Sequence, residues 1–156
     1  MNINSFFVIL EGIDGSGKST QTRLISQLGE SLGYKVIETR EPRGSLRDRI
    51  EALDPSSPNL AEQELQLFLE DRELHYKSVI IPALHSGTFI VCDRGPMSTY
   101  GYQYYGRNLL DKKFLQRIRE GNLNATKGVT PDLTLLFDLP VHIALKRKKK
   151  AKDKNR

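Results

Sequence analysis

The stretch GIDGSGKS, residues 12–19, has the residue types and the spacing G-x-x-x-x-G-K-[ST] that bind phosphate groups. Its glycines allow successive backbone N–H groups to turn inward and surround phosphate oxygens. Lys18 can reach the outer phosphates of a nucleotide, and the Ser19 hydroxyl can be a ligand of Mg²⁺. The stretch therefore predicts a site for a nucleoside triphosphate. The predicted site consists of Gly12, Ile13, Asp14, Gly15, Ser16, Gly17, Lys18 and Ser19.

The segments on either side of this loop have the patterns that a phosphate-binding loop requires. FFVIL, residues 6–10, is a short continuous apolar run, typical of a strand buried on both faces. After Lys18, apolar residues recur at helical spacing as far as Leu32, and Gly33 follows where a helix normally stops. Such a helix points the positive end of its dipole at the phosphates. An ordinary glycine-rich turn is the less favoured alternative in this context.

Further short apolar segments predict three more strands, at 35–40, 88–93 and 132–139. They alternate with stretches of helical pattern at 46–53, 60–84, 111–121 and from 140 onward. Pro82 is expected to kink or end the second of these helices. The alternation predicts an α/β fold of the P-loop NTPase type, a doubly wound parallel sheet with helices on both faces. Ligands of such sheets bind where the strands end, so the loops at 11–18, 39–45, 93–98 and from 138 should converge on one crevice.

The positive charge of the chain is concentrated at its C-terminal end. The net charge is +5, yet residues 146–156 alone carry +7, which leaves −2 for the preceding 145 residues. The body is therefore not a basic surface for nucleic acid.

A single cysteine, Cys92, excludes an internal disulfide and fits a reducing compartment. Because no signal peptide and no apolar stretch of membrane-spanning length is found, we expect one soluble cytoplasmic domain over residues 1–156.

Five motifs together resemble the thymidylate kinases in order and spacing: EGIDGSGKSTQ, TREPRGS, FLEDRELHYKSVIIPAL, CDRGPMSTYGYQ and PDLTLLFDLP. The resemblance runs from about Phe7 to Arg156. It implies transfer of a phosphoryl group from ATP, with Mg²⁺, to dTMP, giving dTDP for dTTP biosynthesis. It also implies a homodimer, with neither nucleic acid nor membrane as a partner. Two alternatives stay open: a kinase for another (deoxy)nucleoside or monophosphate, and a P-loop domain that binds nucleotide without turnover.

The resemblance assigns catalytic roles to residues at the ends of the first and third strands. Lys18, Ser19 and Thr20 are expected to hold the ATP phosphates and Mg²⁺. Asp93 resembles the acidic residue that assists the metal, and Arg94 resembles the residue that bridges the acceptor phosphate and the transferred group. A surface ion pair that caps the strand is the alternative for Asp93 and Arg94.

For the acceptor nucleotide, the resemblance implies contacts with the base, the sugar and the phosphate. Asp14 is expected to contact the deoxyribose 3′-hydroxyl or the metal, Phe68 to stack on thymine and Arg72 to contact the base. Core packing is the alternative for Phe68, and a buried structural tyrosine is the alternative for Tyr102. Glu11 is a weaker candidate that is equally consistent with a structural role. The remaining residues expected at the acceptor are Arg40, Pro42, Arg94, Ser98, Thr99, Tyr102 and Gln103.

The resemblance also bears on the basic C-terminal segment and on two positions where this chain departs from the family pattern. The variable positions of the loop carry no cation, so residues 145–156 should be the start of a lid that supplies one, with Arg147 and Arg156 as candidates. The family continues beyond this point, so the domain is expected to be C-terminally incomplete, without the last strand and helix. Arg43 lies where relatives usually have glycine, and Gly95 replaces an aromatic residue.

Overall fold

A four-stranded parallel sheet forms the centre of the protein. The computed structural model describes residues 5–108 and 111–154. The strands are β1 (Phe6–Gly12), β2 (Val36–Arg40), β3 (Phe89–Asp93) and β4 (Leu133–Phe137). Their order across the sheet is β2-β3-β1-β4, and each neighbouring pair is parallel. The sheet confirms the predicted parallel α/β architecture.

Helices connect the strands, and two π-helical turns extend them. The helices are α1 (Lys18–Ser31), α2 (Leu46–Glu51), α3 (Leu60–His75), α4 (Ile81–His85), α5 (Pro96–Thr99), α6 (Lys112–Ala125) and α7 (Val141–Lys154). The π-helical turns are Tyr76–Ile80, between α3 and α4, and Tyr100–Tyr105, after α5. Pro82 does not end the helical path, because it lies in the first turn of α4, where a missing N–H costs little. No helix within residues 5–108 and 111–154 is long and apolar enough to cross a membrane.

Strand β1 is buried on both faces, as its continuous apolar run predicts. Phe7 and Ile9 pack with β3 and with the segment that contains Tyr76 and Ile80. Val8 and Leu10 belong to a second cluster, against which Ile25 of α1 packs. The two clusters confirm that helices cover both faces of the sheet.

The strand register places the ends of the strands at one edge. Leu10 pairs with Asp93, and Arg40 of β2 pairs with the same residue from the other side. Gly12, the last residue of β1, pairs with Phe137 of β4. The loops after all four strands therefore start level with one another and surround one crevice, as predicted.

A buried arginine, Arg72 on α3, joins the loops on the β2 side of this crevice. Its side chain is 2% exposed and forms an ion pair with Glu41 at 2.8 Å. Its guanidinium also donates to Thr99 of α5, to Asn122 of α6 and to the Gly95 carbonyl. One side chain thus connects the ends of β2 and β3 with α3, α5 and α6.

The partner carboxylate, Glu41, is held by a second group. His75 Nδ1 lies 3.2 Å from Glu41 Oε1, and His75 Nε2 lies 2.9 Å from the Thr39 hydroxyl. Burial alone raises the pKa of Glu41, but Arg72 and His75 hold this pKa below its usual range. Glu41 is therefore ionised in the folded protein, and its charge is compensated inside the core.

Glu41→Gln is expected to lower the free energy of unfolding by about 3–5 kcal/mol at neutral pH, because it leaves the buried Arg72 charge without a counter-charge. The folded pKa of Glu41 is depressed, so its stabilisation is present above the unfolded pKa and is lost as the pH falls through the folded value. Urea unfolding from pH 7 to pH 3 should show the deficit of the variant shrinking below about pH 4. Glu38→Gln, at an exposed position on β2, is the matched control. An equal effect of both changes would contradict the buried pair.

Candidate active site

The loop between β1 and α1 has the shape that its glycines predict. Gly15 and Gly17 have φ angles of +84° and +101°, in the left-handed region that side chains disfavour. The Ser16 N–H donates to the Ile13 carbonyl, and α1 begins directly after the loop, at Lys18. The free N–H groups at the start of α1 thus face the loop, as phosphate binding requires.

Lys18 lies inside the loop, 5% exposed. Its ammonium donates to the carbonyls of Gly12 at 2.9 Å and Ile13 at 3.0 Å. Burial lowers the pKa of Lys18, and the nearby Arg94 charge adds to this effect. A partly desolvated ammonium gains strongly from an anion, so this lysine is poised to exchange a carbonyl contact for a phosphate oxygen.

Two oxygen-bearing side chains beside Lys18 fit a magnesium ion. The Ser19 hydroxyl donates to Asp93 Oδ2 at 2.7 Å. The other oxygen, Asp93 Oδ1, is buried and has no hydrogen-bond partner among the described residues. Mg²⁺ takes oxygen ligands, and it usually takes only one or two from the protein and the rest from water and phosphates. The unpartnered carboxylate oxygen is therefore available for an ion or for its water shell.

Arg94 follows β3 in an unusual backbone conformation, with a φ angle of +76°. Its guanidinium donates to the Gly12 carbonyl at 3.0 Å, to the Ser98 hydroxyl at 3.2 Å and to Asp14. It also lies over the ring of Tyr102, 5.2 Å from the centroid. A non-glycine residue in the left-handed region costs of order 1–3 kcal/mol and is typical of functional sites. The geometry aims a fixed planar cation into the crevice.

Asp14 brings the basic helix α7 to the loop. Its carboxylate accepts from Lys148 at 2.7 Å and also from Arg94. The Lys148 hydrogen bond and the Arg94 charge hold the pKa of Asp14 below its usual range. The helix backbone is equally close, because a Cβ at Gly15 would lie 2.4 Å from the Ala144 carbonyl oxygen. Glycine is therefore required where α7 packs on the loop.

These elements enclose an open cleft of about 730 Å³. It brings together loop residues, the ends of β2 and β3, and α7. The cleft is lined by Asp14, Gly15, Ser16, Gly17, Lys18, Ser19, Thr20, Gln21, Arg40, Asp93, Arg94, Phe137, Arg147 and Lys148. Gln21, Phe137 and Lys148 are not among the residues predicted for the site. Phe137 ends β4 and Lys148 follows Arg147, so their proximity to predicted positions is the signal that could have identified them.

Of the residues predicted to hold the acceptor, Asp14, Arg40 and Arg94 line the cleft, and the others are not among its lining residues. Ser98 and Tyr102 contact Arg94, and Thr99 accepts from Arg72. Gln103 is buried in the π-helical turn after α5, Phe68 is half-buried on α3, and Pro42 follows Glu41. The Arg72 guanidinium already has several protein partners, so its contact with a base stays a prediction. Arg156 lies outside the described residues.

The alternative of a surface ion pair for Asp93 and Arg94 does not match the contacts. Asp93 is buried and bonds to Ser19, whereas Arg94 forms its ion pair with Asp14. Sequence reasoning missed the structural partners His75 and Asn122, because nothing local in the chain indicates that they meet Glu41 and Arg72.

Comparisons with known proteins agree with this geometry. A family model described as thymidylate kinase matches residues 10–156. The thymidylate kinase of Desulfovibrio desulfuricans is 47% identical over 145 residues, which is 90% of this chain and 65% of that protein. The thymidylate kinase of Sulfurihydrogenibium sp. is 39% identical over 155 residues, which is 96% of this chain and 73% of that protein. This chain thus spans about two thirds of the length of the curated relatives that it matches.

A solved structure leads to the same family. The crystal structure of thymidylate kinase from Ehrlichia chaffeensis matches with a TM-score of 0.76 and 32% sequence identity, over 97% of this chain and 89% of that chain. The shared fold is that of the P-loop NTPases, with a parallel sheet and the loop after its first strand. The family match over residues 10–156 and the identity to curated relatives agree, and this chain belongs to the thymidylate kinase family.

Proposed function

We propose that this chain takes part in transferring the γ-phosphoryl group of ATP to dTMP, giving dTDP and ADP. The observation that best supports this proposal is the convergence of five cations on one cleft beside the Ser19–Asp93 pair. The five are Lys18, Arg40, Arg94, Arg147 and Lys148. Donor and acceptor are both polyanions, so charge neutralisation and alignment supply most of the catalysis. The loop and α1 bind the donor phosphates, and the ends of β2 and β3 face the acceptor.

Each residue near the donor has a role that follows from its geometry. The loop N–H groups and Lys18 bind the β- and γ-phosphate oxygens, and Thr20, at the start of α1, lines the same space. Ser19 and Asp93 would hold Mg²⁺, which would neutralise phosphate charge. Arg147 extends from α7 into the cleft and can approach the charge that develops during transfer. Residues 145–156 would then form the first part of a lid over the nucleotide.

The acceptor roles come from the family together with the positions of the side chains. Arg94 would contact both the acceptor phosphate and the transferred group, and its bonds to the Gly12 carbonyl and Asp14 support this role by fixing the guanidinium beside the loop. Phe68 and Arg72 lie one turn apart on α3, and Phe68 would stack on thymine. A base contact of Arg72 would have to replace one of the protein acceptors of its buried guanidinium. Asp14 would contact the deoxyribose 3′-hydroxyl or the metal. The other proposed acceptor contacts are Arg40, Pro42, Ser98, Thr99, Tyr102 and Gln103. The homodimer and the cytoplasmic location remain predictions.

The test of this function is an ATP-consumption assay with Mg²⁺ and a panel of acceptors. We expect dTMP to give the highest kcat/KM, ahead of dUMP, dCMP, dAMP and thymidine. A preference for another acceptor would replace the proposed substrate. Calorimetric binding of ATP without turnover of any acceptor would favour a nucleotide-binding domain. Failure to bind ATP at all would contradict the phosphate site itself.

Asp93→Asn is expected to lower kcat by about 100-fold, because the amide removes a negative oxygen from the proposed metal position. The loss should depend on Mg²⁺: the concentration that gives half-maximal rate rises at least about tenfold, and saturating Mg²⁺ restores part of the activity. Initial rates across a Mg²⁺ titration measure both effects. Asp48→Asn, at an exposed position on α2, should match the wild type. An unchanged Mg²⁺ requirement in Asp93→Asn would exclude Asp93 from the metal site.

Arg147→Ala is expected to lower kcat about 10- to 100-fold, because it removes a cation that lines the cleft. Arg147→Lys should recover only part of the rate, since an ammonium lacks the planar fork of the guanidinium. Lys150→Ala, at another exposed position on α7, controls for the general loss of one positive charge. Steady-state kinetics with ATP as the varied substrate gives kcat for all three variants and the wild type. Equal losses in Arg147→Ala and Lys150→Ala would mean that net charge alone matters.

A further inference from the structure

We propose that Glu11 is a positioning residue for Arg94, acting through the Ser98 hydroxyl and the backbone of Gly95. The proposal rests on the proposed function, in which Arg94 contacts the acceptor phosphate. It concerns a residue that touches neither nucleotide and that sequence reasoning leaves between a functional and a structural role.

Both carboxylate oxygens of Glu11 are committed to the segment after β3. Glu11 is 4% exposed, near the end of β1. Its Oε1 accepts the backbone N–H groups of Gly95 at 3.0 Å and Ser98 at 3.1 Å. Its Oε2 accepts the Ser98 hydroxyl at 2.7 Å. One carboxylate therefore binds the first turn of α5 by three hydrogen bonds.

The hydroxyl of Ser98 passes this constraint to Arg94. A serine hydroxyl has a single proton, and here the proton is directed to Glu11. A lone pair of the same oxygen is then free to accept from Arg94 Nη1, which lies 3.2 Å away. The negative charge of Glu11 thus orients the Ser98 hydroxyl, and the oriented hydroxyl oxygen fixes the position of Arg94 Nη1.

The backbone supplies a second route from Glu11 to Arg94. Arg94 has a φ angle of +76°, which a non-glycine residue adopts only when its surroundings impose it. The N–H of the next residue, Gly95, donates to Glu11, and the Arg94 N–H donates to the Leu10 carbonyl at 2.9 Å. These bonds hold the turn on both sides. Without Glu11, the peptide after Arg94 loses its acceptor and the strained conformation loses support.

Desolvation of the Glu11 carboxylate is unfavourable, and the hydrogen bonds that offset it point to the role of this residue. Burial raises the pKa of Glu11, and the hydrogen bonds from Ser98 and Gly95 oppose that rise. An apolar residue would fill the same space at the end of an apolar strand without a desolvation penalty. The contacts that repay the penalty all belong to the segment that carries Arg94.

Glu11→Gln tests the proposal with little change in shape. The glutamine oxygen can still accept the two backbone N–H groups, but its amide presents a donor to the Ser98 hydroxyl and turns the hydroxyl proton away. We expect kcat with dTMP to fall about 10- to 100-fold, because a small misplacement of a positioning group has effects of this size. KM for ATP should stay within about twofold, since the loop contacts of Lys18 are unchanged.

Ser98→Ala provides a second variant that removes the hydroxyl between Glu11 and Arg94, together with the acceptor contact proposed for Ser98. If Glu11 acts through Ser98, the kcat losses of the two single variants and the double variant are strongly non-additive. Glu38→Gln, at the exposed control position on β2, should leave kcat unchanged. Thermal unfolding of each variant separates stability from rate. A lowered melting temperature with unchanged kcat in Glu11→Gln would overturn the proposal, as would additive losses.

A readout without substrate separates this proposal from the proposed function. In ¹⁵N-labelled protein, the Arg94 guanidinium should give distinct Nη proton signals at low temperature, because three protein acceptors restrict its rotation. Those signals should merge in Glu11→Gln and in Ser98→Ala and persist in Glu38→Gln. If the wild type fails to phosphorylate dTMP, the proposed function fails, and these signals alone decide the positioning role. Unchanged signals in both variants would refute it.

Discussion

The buried charge of Arg72 is the constraint on which the β2 side of the crevice depends. A guanidinium keeps its proton in any protein environment, so its burial forces the surrounding groups to offer acceptors. Glu41 supplies the counter-charge, and Thr99, Asn122 and the Gly95 carbonyl take the remaining N–H groups. Removing one partner leaves the others facing an uncompensated charge, so the ends of β2 and β3 and helices α5 and α6 hold one relative arrangement.

The cations at the loop between β1 and α1 differ from Arg72, because carbonyl and exposed carboxylate groups hold them, and an anion can replace such contacts. Lys18 donates to two loop carbonyls, and Lys148 donates to the exposed Asp14. Arg94 lies between the two sides: it bonds to Asp14 of the loop and to Ser98 of α5. Through Ser98 it is coupled to Glu11, which no nucleotide phosphate can displace. One edge of the Arg94 guanidinium is thus held by Ser98, whereas the other edge bonds to the exposed Asp14, a contact that a phosphate can replace.

Much of this arrangement follows from local sequence, and the rest depends on contacts that local sequence does not encode. The loop at 12–19 and the four strands were predictable, because spacing and apolar runs specify them within a few residues. The partners of Arg72 were not, since Glu41 and Asn122 lie 31 and 50 positions away along the chain. Whether Pro82 ends the helical path was not predictable for a related reason: the path continues past Pro82, because the π-helical turn before it places Pro82 in the first turn of α4.

The ion pairs at the loop and at Arg72 differ in how much they contribute to stability. The Lys148–Asp14 pair has both side chains about half exposed, and such pairs contribute at most about 1 kcal/mol to stability. The Arg72–Glu41 pair is buried and strongly coupled to its neighbours. Helix α7 is thus joined to the loop by a half-exposed ion pair that contributes little to stability, and its backbone packs closely on Gly15. Loss of the Lys148–Asp14 contact would therefore leave the buried network of Arg72 and Glu41 in place.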